Sequence, residues 1–289
     1  MILKIGSKGK QVKQLQEFLN IKVDGDFGPA TLSAVKEFQS KNGLTVDGVV
    51  GLKTWDEMGI ASTDNLERVG LIEYDTHYLP KGEYKEGPTN KEYLFLHHTA
   101  GWHNPYNQIE QWGRDNRGTI CTEFVLGGSS IKGNDNDYDG VLVQAFPDGG
   151  YGWHLGKNGS QHMHTHSVGV ELCNFGYLKE GKTAYGHRAA DSQIVTLKKE
   201  FRGFKQFHKY SDAQIKKLKE LIIFIANRDS IDITKGLPSL IKDKGTEAFE
   251  WNADAYYGKI KGVWCHTNTR KDKWDLFPQP ELMDMLTSL

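Results

Sequence analysis

Two histidines that each close an apolar run are the residues in this chain best placed to do chemistry: His97 after Tyr93-Leu94-Phe95-Leu96, and His266 after Gly262-Val263-Trp264-Cys265. Each run has the β-prone character of a buried strand, so each imidazole falls at a strand end and is held rigidly. A metal ligand needs that rigidity, because affinity depends on donors standing in place before the ion arrives. The loop after His266 adds carboxylates, Asp272 and Asp275, on either side of Lys273. Two imidazoles and one carboxylate with an open fourth position make a usual catalytic zinc set, whereas calcium or magnesium would want more oxygen donors. A packed rim histidine is the plain alternative for either residue alone.

Glu171 is the second oddity, a carboxylate inside the apolar run Val168-Gly169-Val170-Glu171-Leu172-Cys173. Strand alternation puts Gly169, Glu171 and Cys173 on one face and Val168, Val170 and Leu172 on the other. A carboxylate so placed needs a partner or a raised pKa, since an unpaired buried charge is costly. One reading is a salt bridge to a structural Lys or Arg. The other is a general base for an attacking water, which zinc would acidify. A glycosidase pairing Glu171 with an aspartate is a third possibility.

The elements that must position these groups follow from the pattern. Pro105 to Trp112 suits a helix, Cys121–Leu126 and Val141–Phe146 read as strands, and Ser211 with Gln214 makes a capping box before a helix whose apolar face is Ile215, Leu218, Ile222 and Ile225. The histidines His162, His164 and His166 alternate like one strand face. Asn134 to Gly140 is an acidic turn, but it lacks the closing glutamate of an EF-hand. Residues 178–210 and 228–260 are polar and irregular, with no assignable task. Together these stretches predict an α/β domain with a mixed central sheet flanked by helices.

The first 60 residues differ in kind. Asp24-Gly25-Asp26-Phe27-Gly28 echoes as Asp47-Gly48-Val49-Val50-Gly51, each followed by a threonine, Thr31 or Thr54. Val12, Leu15 and Leu19, and again Thr31, Val35 and Phe38, have helical spacing, and Trp55 and Met58 mark a short third helix. That predicts a small all-α, three-helix unit near the lower size limit for an independent domain.

Both halves resemble known families. Gly9 to Gly59, with Gly-x-x-Val-x-x-Leu-Gln and two Asp-Gly turns, is similar to a three-helix peptidoglycan-binding module. The pieces Phe-Leu-His97-His98-Thr-Ala, Trp153-His154-Leu-Gly, Ser167-Val-Gly-Val-Glu171-Leu, Cys-His266 and Lys273-Trp-Asp275 resemble the zinc-dependent N-acetylmuramoyl-L-alanine amidases, which include phage lysozymes, cell-wall recycling amidases and peptidoglycan recognition proteins. The resemblance implies one Zn2+ held by His97, His266 and Asp275. The loop before Asp275 departs from the family's usual forms, which leaves Asp272 as a competing ligand, and His98 reads as a residue that packs or supports a ligand. It implies Glu171 as acid/base, since Thr122-Glu123-Phe124 lacks the tyrosine of the phage enzymes, and Lys273 as oxyanion stabiliser. Trp153 and His154 are implied as a wall of the substrate groove, a packed structural pair being the alternative. The implied activity is hydrolysis of the amide between N-acetylmuramic acid and L-alanine. A non-catalytic recognition protein is the rival reading within the family.

Composition bounds the rest. A net charge of −1 and a pI near 6.8 give no electrostatic case for nucleic acid or membrane partners. Three widely spaced cysteines, Cys121, Cys173 and Cys265, form no disulfide framework. The start of the sequence has no signal-peptide pattern. The expectation is therefore a monomeric, phage endolysin-like enzyme, bacteriolytic and hence antimicrobial, held in the cytoplasm of the producing cell and acting on peptidoglycan after release. Its domains are predicted at 1–60 and 91–289, with a linker at 61–90.

Overall fold

Glycine and proline set the helix boundaries of the N-terminal unit in this computed structural model, which describes residues 3–59, 72–87, 89–156 and 159–289. Helix α1 (Lys10–Phe18) starts after Gly9, α2 (Pro29–Lys41) carries Pro29 in its first turn, where no backbone N–H is missed, and α3 (Leu52–Glu57) follows the second Asp-Gly turn. Val12, Leu15, Phe27, Val35, Trp55 and Met58 form its core, and Leu3 pairs with Val50 to close it. The sequence echo is also an echo of hydrogen bonds. The buried Gln16 amide donates to Asp24 Oδ1, the Asp26 carbonyl and Thr31 Oγ1, and it accepts from the Gly25 N–H. Gln39 does the same with Asp47, Val49, Thr54 and Gly48.

Contacts divide the chain into two compact units, Met1–Glu73 and Tyr74–Leu289. The stretch expected to be a linker therefore belongs partly to the second unit. Its strand β1 (Asp75–Thr76) pairs with the large sheet, and Lys85 bridges Tyr151. Residues 60–71 lie outside the described residues.

The second unit is built on a mixed sheet of β1, β2 (Tyr93–His98), β3 (Phe124–Leu126), β4 (Leu142–Gln144), β5 (Ser167–Leu172) and β9 (Gly262–Cys265), in the order β1-β4-β3-β5-β2-β9. Strand β2 is parallel to both β5 and β9, and all its residues are buried, as expected for a parallel strand covered on both faces. The helix Asp212–Asp229 covers one face, with Phe224 edge-on to Phe124, and the helix Pro105–Trp112 packs over Val125 and Val143 on the other. At about 25 cal/mol per Å² of apolar surface, each such buried aromatic contributes roughly 2–3 kcal/mol before chain entropy is counted.

Several local expectations are revised. Only half of the predicted capping box forms: Ser211 Oγ accepts from the Gln214 N–H, but the Gln214 amide donates instead to the carbonyls of Leu126, Gly127 and Cys173, tying the helix to the sheet. The strand expected from Cys121 begins only at Phe124, and the buried Glu123 just before it pairs with Arg228. His162, His164 and His166 do not share a strand face: Ser160 caps a short helix, Gln161–Thr165, across which His162 and His166 stack at 3.9 Å. The two stretches read as irregular are ordered: the first holds most of a three-stranded antiparallel sheet of β6 (Tyr177–Leu178), β7 (Ile194–Phe201) and β8 (Phe204–His208), and the second a helix, Leu237–Lys244. Strands β7 and β8 join through Arg202 and Gly203 at φ 49° and 85°, the left-handed pair that a two-residue hairpin turn requires.

Candidate active site

Parallel pairing brings the chemistry to one rim. His97 lies opposite Glu171 in the β2–β5 register, and Leu96 opposite Cys265 in β2–β9, so His97, Glu171 and His266 stand side by side at the carboxyl ends of three strands. Crevices at such strand ends are where open α/β sheets bind ligands. Cys265 caps a short helix, His266–Thr269, whose Asn268 side chain accepts from the Cys265 N–H and donates to the carbonyls of Ala248 and Glu250. The chain then loops back, and the Thr267 N–H donates to the Asp275 carbonyl, returning Asp275 to His266.

Asp275 Oδ2 is 2.9 Å from His266 Nδ1 and 3.5 Å from His97 Nδ1, and one ligand atom from each of the three residues lies within 4.8 Å of the others. All three side chains are buried, and among the described residues His266 Nε2 has no hydrogen-bond partner. Burial pushes the Asp275 carboxyl up, but His266 and His97 more than reverse this and hold it well below the usual range. Burial pushes His97 down to about 4 against its Asp275 hydrogen bond, leaving a neutral imidazole able to offer a lone pair. A buried set of two imidazoles and an ionised carboxylate, one imidazole nitrogen being orphaned, fits the donor preferences of zinc.

The orientation of His97 is fixed from behind. Its Nε2 lies 3.0 Å from His154 Nδ1, and His154 Nε2 lies 2.7 Å from Ser167 Oγ. Run from His97 Nε2–H to His154 Nδ1 and from His154 Nε2–H to Ser167, this chain leaves His97 Nδ1 as a lone pair on the ligand side; run the other way, it puts the proton on Nδ1, facing Asp275. The His154 ring passes close to β5 at Gly169, where a Cβ would meet Thr122 Cγ2 at 2.8 Å and His154 Cγ at 3.1 Å, so a side chain there would crowd both. His154 is thus a support for His97 that also lines the cleft, while Trp153 lines an adjoining depression and lies against His164.

Glu171 is partly exposed to a cleft of about 520 Å³, with Gln108 and Arg117 on one side and Phe175, Tyr177 and Trp274 on another. Desolvation, then the Asp275 charge, raise its pKa well above normal, and Lys273 draws it back. Among the described residues no salt bridge reaches its carboxylate, so the structural ion pair is absent. Lys273 lines the same cleft. Asp272 also lines the cleft but pairs with Arg270 at 2.5 Å, whereas Asp275 is the carboxylate that approaches both histidines. His98 Nδ1 meets Tyr210 Oη at 2.8 Å, a packing role.

One positioning residue escaped the sequence. The Arg202 guanidinium donates to the carbonyls of Thr267 (3.0 Å), Arg270 (2.8 Å) and Lys273, gripping the loop that joins His266 to Asp275. An Arg-Gly pair between two half-apolar runs was the available hairpin signal.

Residues 87–275 match the family profile described as N-acetylmuramoyl-L-alanine amidase, and residues 8–58 match that of a peptidoglycan binding domain. The zinc D-Ala-D-Ala carboxypeptidase of Streptomyces albus G is 41% identical over 61 residues, 18% of this chain and 24% of that protein. The spore cortex-lytic enzyme of Oceanobacillus iheyensis is 30% identical over 118 residues, 39% of this chain and 37% of that protein. A mutant endolysin from Bacillus subtilis superposes over 65% of this chain and 99% of its own, at 15% identity and a TM-score of 0.35. The chain spans between 24% and 52% of the length of the curated relatives it matches.

Proposed function

Since the chain belongs to the N-acetylmuramoyl-L-alanine amidase family, we propose that it hydrolyses the amide between the lactyl group of N-acetylmuramic acid and L-alanine in peptidoglycan, using one zinc ion. The observation that carries this reading is the convergence of His97, His266 and Asp275 beside Glu171. Zinc held by those three residues would supply a Lewis acid for the scissile carbonyl and lower the pKa of the attacking water. Glu171, whose carboxyl burial pushes well above the usual carboxylate range, takes a proton from that water and returns it to the departing amine of L-alanine. Lys273 offers an ammonium to the developing oxyanion. His154 and Ser167 hold the tautomer of His97. The N-terminal module raises the local concentration of the wall polymer, and joining a wall-binding unit to a wall-cutting one suits a lytic enzyme of the endolysin type.

Mass spectrometry of digested peptidoglycan tests the reaction. The expected products are stem peptides with free L-alanine amino termini, released in a chelator-sensitive way, without new reducing sugars. New reducing ends would make the enzyme a glycosidase, and binding without cleavage a recognition protein. Glu171→Gln should lower kcat about 10²- to 10⁴-fold while leaving zinc content unchanged; a zinc-loaded, fully active variant would remove Glu171 from the mechanism.

A further inference from the structure

Outside the cleft, Trp251, Tyr256 and Tyr257 make a second aromatic surface. Tyr257 is 65% exposed, its ring lies edge-on to Tyr256 at 4.9 Å, and Tyr256 is 5.7 Å from Trp251. The three line a depression of about 410 Å³ whose remaining wall, Thr269, Lys271 and Asp272, comes from the loop between His266 and Asp275. Asp272 also lines the catalytic cleft, so the two concavities adjoin.

We propose that this depression is a subsite for the glycan strand, taking sugars beyond the one that bears the scissile amide. The inference rests on the amidase reading of the neighbouring site. A pyranose ring has an apolar C–H face and a polar rim, and the exposed Tyr257 ring, flanked by the half-buried Tyr256 and Trp251 and by hydrogen-bonding side chains, matches that division. Lys259 lies 5.7 Å over the Tyr257 ring and Lys271 stands on the wall, so the rim offers ammonium donors to sugar hydroxyl and acetamido oxygens. The surface is also fixed relative to the chemistry. Asn252 caps the turn carrying Tyr256, accepting from the N–H groups of Asp254 (2.8 Å) and Ala255 (3.1 Å), and its own N–H donates to the Asn268 carbonyl beside His266 (2.9 Å). Lys271 lies 4.9 Å over the Trp251 ring. A platform so anchored needs little ordering when a polymer lands on it.

The test uses the full chain and two substrates, solubilised glycan chains bearing stem peptides and a single disaccharide-peptide. Tyr257→Ala should raise KM on the chains roughly three- to tenfold, the loss of one aromatic contact, with kcat unchanged and the single unit cleaved as before. Tyr257→Phe should behave as the parent. An unchanged KM on chains, or an equal loss on both substrates, overturns the proposal. If the parent cleaves neither substrate, the amidase reading fails on its own, and titration with a β-1,4-linked N-acetylglucosamine tetramer decides the subsite. Tetramer binding weakened by Tyr257→Ala supports it; binding that is absent, or equal in parent and variant, overturns it.

Discussion

Replacing Arg202 with alanine would release the loop that carries Asp275 without touching a ligand. The guanidinium, with a side chain only 9% exposed, holds three carbonyls of that loop, while its contact with the half-exposed Glu250 is worth little. A hydrogen bond from a charged donor is worth about 1.5 kcal/mol or more. Three would reach about 4–5 kcal/mol, reduced because water can reach the freed carbonyls; the left-handed backbone at position 202 costs alanine as much as arginine, since both carry a Cβ. The net expectation is about 2–4 kcal/mol, or roughly 30- to 1000-fold more frequent loop opening. Amide hydrogen exchange reads this directly at the Thr267 N–H, bonded to the Asp275 carbonyl, and at the Arg270 N–H, bonded to the His266 carbonyl. Both should exchange faster in Arg202→Ala while amides of β2 keep their protection. Arg202→Lys, with one ammonium for three carbonyls, should fall between. Unchanged exchange across 266–275, or acceleration spread evenly over the domain, would refute the clamp.

Two further outcomes follow from the geometry. Asp275→Asn should weaken zinc binding more than about 100-fold in chelator competition, whereas Asp272→Asn, which loses only its pair with Arg270, should stay within about threefold of the parent; the reverse order would exchange their roles. Lys91 is buried, its ammonium donating to the carbonyls of Gly150 and Thr165, and burial pushes its pKa from 10.5 down to about 8. Between those values the unfolded chain holds the proton and the folded one does not, so the Lys91 contribution to stability rises with pH from about 8 to 10.5, by about 3 kcal/mol at most, while the buried thiols of Cys121, Cys173 and Cys265, pushed up by burial, contribute the opposite slope. The difference in urea-unfolding free energy between the parent and Lys91→Met, which cancels the thiol contribution, should carry the Lys91 slope; a pH-independent difference would refute it.

How far the sequence could be read depended on where each signal resides. His97, His266 and Glu171 were legible because polar groups closing or interrupting apolar strands are conspicuous, and their parallel register then follows from burial on both faces. Asp275 needed the family resemblance, since spacing alone left Asp272 in contention. The β7–β8 hairpin escaped because its ladder shifts register between Thr196 and Phe201 and its solvent side carries Lys198, Lys199 and Glu200, which blur the alternation. Arg202 could not be found at all, because its partners are backbone carbonyls, which every residue possesses. The role of Gln214 was misread for a related reason: a capping pattern shows that an amide is available, not which carbonyls compete for it.

The duplicated glutamine knots of the N-terminal unit bear on how that unit reaches its fold. Each knot joins groups only 8 to 15 positions apart, so the loops to be closed are short and their entropy cost is small. Contacts of such short range favour rapid, autonomous formation. Either knot can therefore seed the other, and the wall-anchoring segment has two equivalent starting points for its assembly.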